Sequence, residues 1–304
     1  MFSSSFSLAE WVAATMEHDK SNSGYWSIGL YRGQSLDALS PYAEPQPIVT
    51  GEHFKSFNGS AVADPFAIRR PDGWYLFFEL FLEGQSNAVI GASRSTNLVD
   101  WETLGIVHSQ PHHLSYPFVF EHDGQIYMMP ESKSVRRVDI FRAVDFPHKW
   151  EFEKTILHGR YMDCSMVQHA GRYWLFAGWR SYWLKLFYAP HPLGPWKRHW
   201  MPVARPYSRS STRPGGRPIH VNGQLVRFAQ DNTDYYGQQL RAWSVTRMNR
   251  LWYSEKPLSD RPILQGTGHG WNARCMHHID PHVISANTNQ QSKSEIVAFV
   301  DGCA

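Results

Sequence analysis

Carboxylates and their companions stand in this chain at intervals near fifty residues. Asp64, Tyr116, Asp163, Arg217 and Asp280 open short apolar runs, while Glu79, Glu131 and Asp231 close the runs that follow. Cleavage of a glycosidic bond needs such groups brought together. One carboxylic acid protonates the leaving oxygen, and a second carboxylate activates water or attacks the anomeric carbon. Residues so far apart in sequence can do this only if the fold returns them to one place.

The intervening sequence supplies a repeating element. Ala63-Asp64-Pro65-Phe66-Ala67-Ile68, the turn Asp72-Gly73 and Trp74-Tyr75-Leu76-Phe77-Phe78-Glu79 read as two strands joined by a tight hairpin. Asx-Gly sequences favour the positive φ of such turns, and aromatic and β-branched residues suit a pleated surface. The unit recurs at 115–131 with Asp123-Gly124, at 162–178 with Ala170-Gly171, and at 215–231 with Asn222-Gly223. A looser fifth copy runs from His278 to Ile284, with Ile296-Val297-Ala298-Phe299 as its second strand. The turn glycines are 51, 47 and 52 residues apart. A period near fifty with a hairpin per unit predicts an all-β fold, a five-bladed β-propeller whose first strands line a central channel.

Residues 25–31 read as a strand and Pro47-Ile48-Val49 as an extended piece, both ahead of the first full unit, whereas the fifth unit lacks outer strands. The N-terminal strands are therefore expected to close the last blade, which removes free edges. Truncation at Gly24 or Ser294 should then unfold the whole domain. Residues 1–23 are read as a helical extension, from the spacing of Phe6, Leu8, Trp11, Val12 and Met16, and residues 24–304 as one propeller. Third and fourth strands are expected at 87–94 and 101–108, at 138–142 and 150–157, and at 184–188 followed by 194–196. The Trp that precedes each fourth strand is expected to pack between blades.

Composition narrows the function classes. Net charge is +3 and no run of five like charges occurs, which argues against a nucleic-acid partner. No window approaches eighteen apolar residues and the first eight lack a basic n-region, so neither an integral membrane segment nor a signal peptide is expected. Cys164, Cys275 and Cys303 are odd in number and at no metal spacing. They predict no disulfide framework, hence a reducing, cytoplasmic setting. The sequon Asn58-Gly59-Ser60 is read as a turn.

At the repeated segments the chain resembles the five-bladed glycoside hydrolase superfamily of arabinanases and β-xylosidases, where an Ala-Asp-Pro motif carries the general base. Ala63-Asp64-Pro65 matches it. The chain resembles more closely the N-terminal domain of glucosamine inositolphosphorylceramide transferases and its stand-alone bacterial relatives. The matching segments are Ala63-Asp64-Pro65-Phe66 with Phe77-Phe78-Glu79, Ser115-Tyr116-Pro117 with Met129-Pro130-Glu131, Gly215-Gly216-Arg217-Pro218, Gln230-Asp231 and Met276-His277-His278-Ile279-Asp280. The resemblance runs from about Trp26 to the C-terminus. It does not include the transferase portion of those proteins, so their activity is not carried over. Against the hydrolase pattern, Tyr116 stands where a second-blade Asp is usual, and Met162-Asp163-Cys164 where the acid's Glu-Gly-Pro is usual.

The resulting expectation is a carbohydrate-active protein, a glycoside hydrolase-like enzyme with Asp64 as base and Glu131 or Asp163 as acid. Tyr116, Arg217, Asp231, Tyr236, His278, Asp280 and Glu79 would hold the glycan. No cofactor is expected; the alternative is a divalent ion on His278, Asp280 and His282, which alternate along one strand. A non-catalytic glycan-binding or accessory module is the second reading of the whole, and a protein scaffold the third.

Overall fold

The computed structural model of the chain describes residues 26–42, 46–180, 183–204, 208–286 and 293–304. Five antiparallel sheets follow one another as the blades of a propeller. Blade one comprises Gly59–Arg70, Gly73–Leu82, Val89–Ser95 and Glu102–His108; blade two comprises Ser115–His122, Gln125–Glu131, Arg137–Asp145 and Lys149–His158. Blade three is Tyr161–His169, Arg172–Trp179, Trp183–Ala189 and the short Lys197–Arg198. In blade four the first strand is broken into Arg213–Pro214 and Ile219–Val221, followed by Gln224–Asp231, Gln239–Met248 and Tyr253–Pro257. Blade five joins the two ends of the chain in the order Ser40–Pro41, Trp26–Gly33, Lys293–Cys303, Ile279–Ala286. The expected helix over 1–23 lies outside the described residues.

Closure works as the sequence predicts. Eight consecutive residues, Trp26 to Gly33, pair with Ile296 to Cys303. Ile28 and Leu30 are buried there beside Val297 and Phe299. Deleting residues 1–42 is expected to abolish cooperative melting, because it bares both a strand edge and this apolar face. A protease-resistant core with a sharp thermal transition would contradict that.

The hairpin turns vary. Asp123-Gly124, Ala170-Gly171 and Asn222-Gly223 each place both central residues at positive φ, whereas Asp72-Gly73 does so only at Gly73. Trp150 of blade two packs on Phe77 of blade one at 5.6 Å, and Trp101 on Phe299 of blade five at 5.8 Å, so these tryptophans do fill the seams between blades.

The cysteine reading is corrected. Cys275 and Cys303, 4.9 Å apart at Cα, form a disulfide; Cys164 is buried and free. The pair was invisible in sequence because only closure brings the lead-in to blade five's first strand beside the end of its second. The argument from cysteines to a reducing compartment therefore falls. Among the described residues no helix is long and apolar enough to cross a membrane.

Candidate functional site

The first strands of blades one, two and three share a defect in the same place. A register shift falls between Ala63 and Phe66, between Ser115 and Phe118, and between Met162 and Ser165. At each bulge one non-glycine residue is left-handed: Asp64 at φ 52°, Tyr116 at 48° and Asp163 at 50°. Such conformations cost about 1–3 kcal/mol each and cluster where function demands them. Sequence alone carried the residues but not the bulge.

The bulge turns backbone amides into donors for carboxylates at the ends of second strands. Asp64 N–H donates to Asp301 Oδ2 at 3.1 Å, and Asp163 N–H to Glu131 Oε2 at 3.0 Å. Around them runs a ring drawn from all five blades. Glu79 lies across the strand pair from Ala63 and holds His113 Nε2 at 3.1 Å. Glu131 meets Lys133 Nζ at 3.4 Å. Asp163 accepts from Arg213 Nε at 2.5 Å and from Gln230 Nε2 at 3.3 Å. Arg213 lies over the Tyr236 ring, whose hydroxyl is 3.1 Å from His277 Nε2; His277 Nδ1 in turn bonds Asp301 at 2.8 Å. Trp26 covers the His277 imidazole at 4.4 Å.

Asp64 completes the ring with an open acceptor oxygen. Its Oδ1 is buried and makes no hydrogen bond among the described residues; His278 Nδ1 lies at 3.4 Å and His277 Nε2 at 3.9 Å. Beside it, burial pushes the Glu79 carboxyl up to about 7; His113 opposes the shift, and the Asp64 and Glu131 charges add to it. Burial also penalises the Glu131 anion, but Lys133, Arg213 and the Asp163 amide outweigh it and hold the group below the ordinary carboxylate range. Asp163 is lifted by burial, a rise that Arg213 restrains and the Glu131 charge reinforces. Against burial, His277 keeps Asp301 low and is itself raised by that carboxylate. The arrangement thus holds in one ring the Asp64 side chain, with one oxygen open, and a Glu79 carboxyl pushed up to about 7.

Other predicted residues sit elsewhere. Tyr116 is fully buried: its hydroxyl accepts from Gly216 N–H at 2.6 Å and bonds Ser165 at 2.7 Å, and its ring packs on Phe66, so it has no face to offer a sugar. Arg217, Asp280 and His282 form a plug deeper in the channel. Arg217 Nε donates to Asp280 Oδ1 at 2.5 Å, and its Nη2 reaches the carbonyls of Val119 at 2.9 Å and Ala67 at 3.4 Å. Asp280 Oδ2 takes the Ala67 amide at 2.6 Å and His282 Nε2 at 2.8 Å. The glycines before Arg217 serve blade five rather than a ligand: Gly216, at φ 139°, runs beside Ile279, whose carbonyl a Cβ would strike.

Although Asp280-Pro281 repeats the dipeptide of Asp64-Pro65, it does not stand at the same level of the channel. His278 holds that level, with Nε2–H donating to the Pro65 carbonyl at 3.0 Å. His278, Asp280 and His282 do not converge on a common point. Among the described residues the His and carboxylate groups that do are Asp64, His277 and Asp301, and on the surface His122, Asp123 and His191. Both His277 nitrogens are already engaged, by Asp301 and Tyr236, and Asp64 Oδ1 lies 3.9 Å from Nε2, outside hydrogen-bonding distance.

Asp231 belongs elsewhere too. Strand alternation sends Gln230 to the ring and Asp231 to the opposite face, where Thr233, Gln239 and Arg241 hold it in the wall of a separate cavity of about 210 Å³. Asp301 is not among the candidates the repeat picks out, yet the sequence carries its signal. Phe299-Val300-Asp301 repeats Phe77-Phe78-Glu79 in the strand register of its own blade.

Residues 18–302 match the family described as glucosamine inositolphosphorylceramide transferase 1, N-terminal. The chain is 33% identical over 307 residues to glucosamine inositolphosphorylceramide transferase 1 of Arabidopsis thaliana, covering 92% of this chain and 39% of that protein. It is 32% identical over 289 residues to the protein of that name from Oryza sativa subsp. japonica, covering 86% and 39%. It thus spans about two-fifths of these relatives. Solved structures share the fold at low identity. The catalytic domain of a Coprinopsis cinerea GH62 α-L-arabinofuranosidase has a TM-score of 0.59 at 12% identity, over 93% of this chain and 99% of that one. Zg3597, a family 117 glycoside hydrolase of Zobellia galactanivorans, has 0.56 at 12% identity, over 92% and 91%.

Proposed function

The chain belongs to the glucosamine inositolphosphorylceramide transferase 1 N-terminal family, and on that premise we propose that it hydrolyses a glycosidic bond at the channel mouth. A carbohydrate-related role is what the relatives and structural neighbours have in common. The observation that carries the hydrolytic reading is that one ring holds both Asp64, whose Oδ1 has no hydrogen-bond partner among the described residues, and Glu79, whose carboxyl is pushed up to about 7.

Asp64 would take a proton from the attacking water, and Glu79 would give its proton to the leaving oxygen. The sequence points to Glu131 or Asp163 as the acid. Glu131 is held low by its cations, and Asp163 is tied to Arg213 and Gln230, so both fit better as groups that set the charge and position of their neighbours. Glu131 acts on Glu79 through its charge, which helps keep the Glu79 proton in place. Tyr236 and His113, at the rim of the ring, would meet the sugar, and Arg213 would hold Asp163 in register.

The test is product release from aryl furanosides, aryl pyranosides and surface glycans as a function of pH. A proton donor that loses its proton as pH rises through about 7 predicts an alkaline limb falling near that value. A rate that keeps rising well above it would remove Glu79 from the acid's role.

The accessory reading has one observation of its own: the relatives place this domain in a protein more than twice its length. A glycan would then bind at the same ring without turnover.

A further inference from the structure

Three large apolar side chains stand together on the outer rim between blades three and four. Trp200 is 65% exposed, Leu251 63% and Trp252 46%. They are held as a unit. Trp200 Nε1–H donates to the Leu251 carbonyl at 3.1 Å, so the indole is satisfied while its face stays in solvent. Asn249 Oδ1 takes the amides of both Leu251 and Trp252 at 2.9 Å, and His199 Nε2 bonds the Asn249 carbonyl at 2.9 Å. An apolar cluster fixed in the open by its own hydrogen bonds is a surface built to be covered.

Its charge says by what. Residues 195–202 and 246–254 contain Lys197, Arg198, Arg247 and Arg250 and no carboxylate. All four cations are exposed, and Arg247 lies over the Trp252 ring at 5.2 Å. Tryptophans flanked by Arg and Lys are the chemistry of the interface between acyl chains and anionic headgroups, where the indole sits at headgroup level and each cation adds attraction.

We propose that this rim docks the protein on an anionic lipid bilayer. The docking is peripheral: two indoles and a leucine enter the interface, and the guanidinium groups engage headgroup phosphates. The third strand of blade four starts opposite Asp231, at the end bearing the ring, and runs away from it to Met248. The Asn249–Trp252 turn is therefore at the far end, and docking leaves the channel mouth facing the aqueous side. The inference is independent of the reading of the channel.

Cosedimentation with vesicles tests it, using phosphatidylcholine alone and an equal mixture with phosphatidylglycerol. The full chain is expected to bind the mixed vesicles, more weakly at high salt, and the neutral ones much less. Trp200→Ser with Trp252→Ser should weaken that binding about tenfold or more, and Arg247→Gln with Arg250→Gln should erase the preference for the anionic lipid. Thermal melting would confirm that both pairs leave the fold intact. No binding to either vesicle, equal binding to both, or binding unchanged in the double Trp variant would overturn the proposal. A dimer by light scattering that the Trp variant turns into monomer would also overturn it, by assigning the rim to a second copy.

Discussion

Replacing Glu79 by Gln is expected to lower turnover by a factor of about 10²–10⁴, the usual contribution of a positioned proton donor, and to stabilise the fold above neutral pH. The two effects have one cause. The folded protein holds this carboxyl at about 7 against an ordinary 4.5, so it binds the proton more tightly folded than unfolded. Stability tied to Glu79 is complete below the unfolded value and is lost as pH rises through the folded one. At about 1.4 kcal/mol per unit the loss reaches roughly 3 kcal/mol. Gln carries no charge to bury, so the variant should melt higher than wild type at pH 8 and show no such gain at pH 4. A variant that melts lower than wild type at both pH values would mean that Glu79 serves the fold.

Asp280→Asn is expected to destabilise the domain by about 3–5 kcal/mol, because it leaves the Arg217 guanidinium in the channel without its counter-charge. The ion pair ties four blades together: Arg217 comes from blade four, Asp280 from blade five, and the carbonyls and amide they hold from blades one and two. Burial works against the Asp280 anion, yet Arg217 and His282 hold it down at about 2. Its folded value is depressed, so its contribution is present above the ordinary carboxylate range and is lost only as pH falls through about 2. Arg217→Met combined with Asp280→Leu should cost less than either single change, since the pair is removed with its desolvation cost. Denaturant melts read this directly. If Arg217 gripped a ligand instead, its loss would weaken glycan binding and leave the melts unchanged.

The repeat made the fold legible. A hairpin every fifty residues fixed the number of blades, and the unpaired strands at each end fixed how the ring closes. Asp64, Glu79, Glu131 and Asp163 were legible for the same reason, since equivalent positions in successive blades converge. What failed was register within a repeat. Asp231 and Gln230 are adjacent, and one step of alternation decides which of them faces Asp163. In blade five the Asp-Pro dipeptide drew attention to Asp280, while the level of Asp64 belongs to His278 and that of Glu79 to Asp301. Partners that arrive from loops or neighbouring blades, such as His113 on Glu79, carried no spacing signal at all. The bulges at Asp64, Tyr116 and Asp163 were hidden likewise, because three left-handed non-glycine residues leave no mark in composition.

The most direct test of the hydrolytic reading compares wild type with Asp64→Asn on a panel of glycosides and glycans, following both product release and ligand-induced thermal stabilisation. Asn is close to Asp in shape and leaves the backbone bond to Asp301 available, so the site should still bind. The predicted result is turnover by wild type that the variant loses while the same glycan stabilises both proteins. Stabilisation of both proteins with product from neither would contradict hydrolysis and make the ring a glycan-binding module.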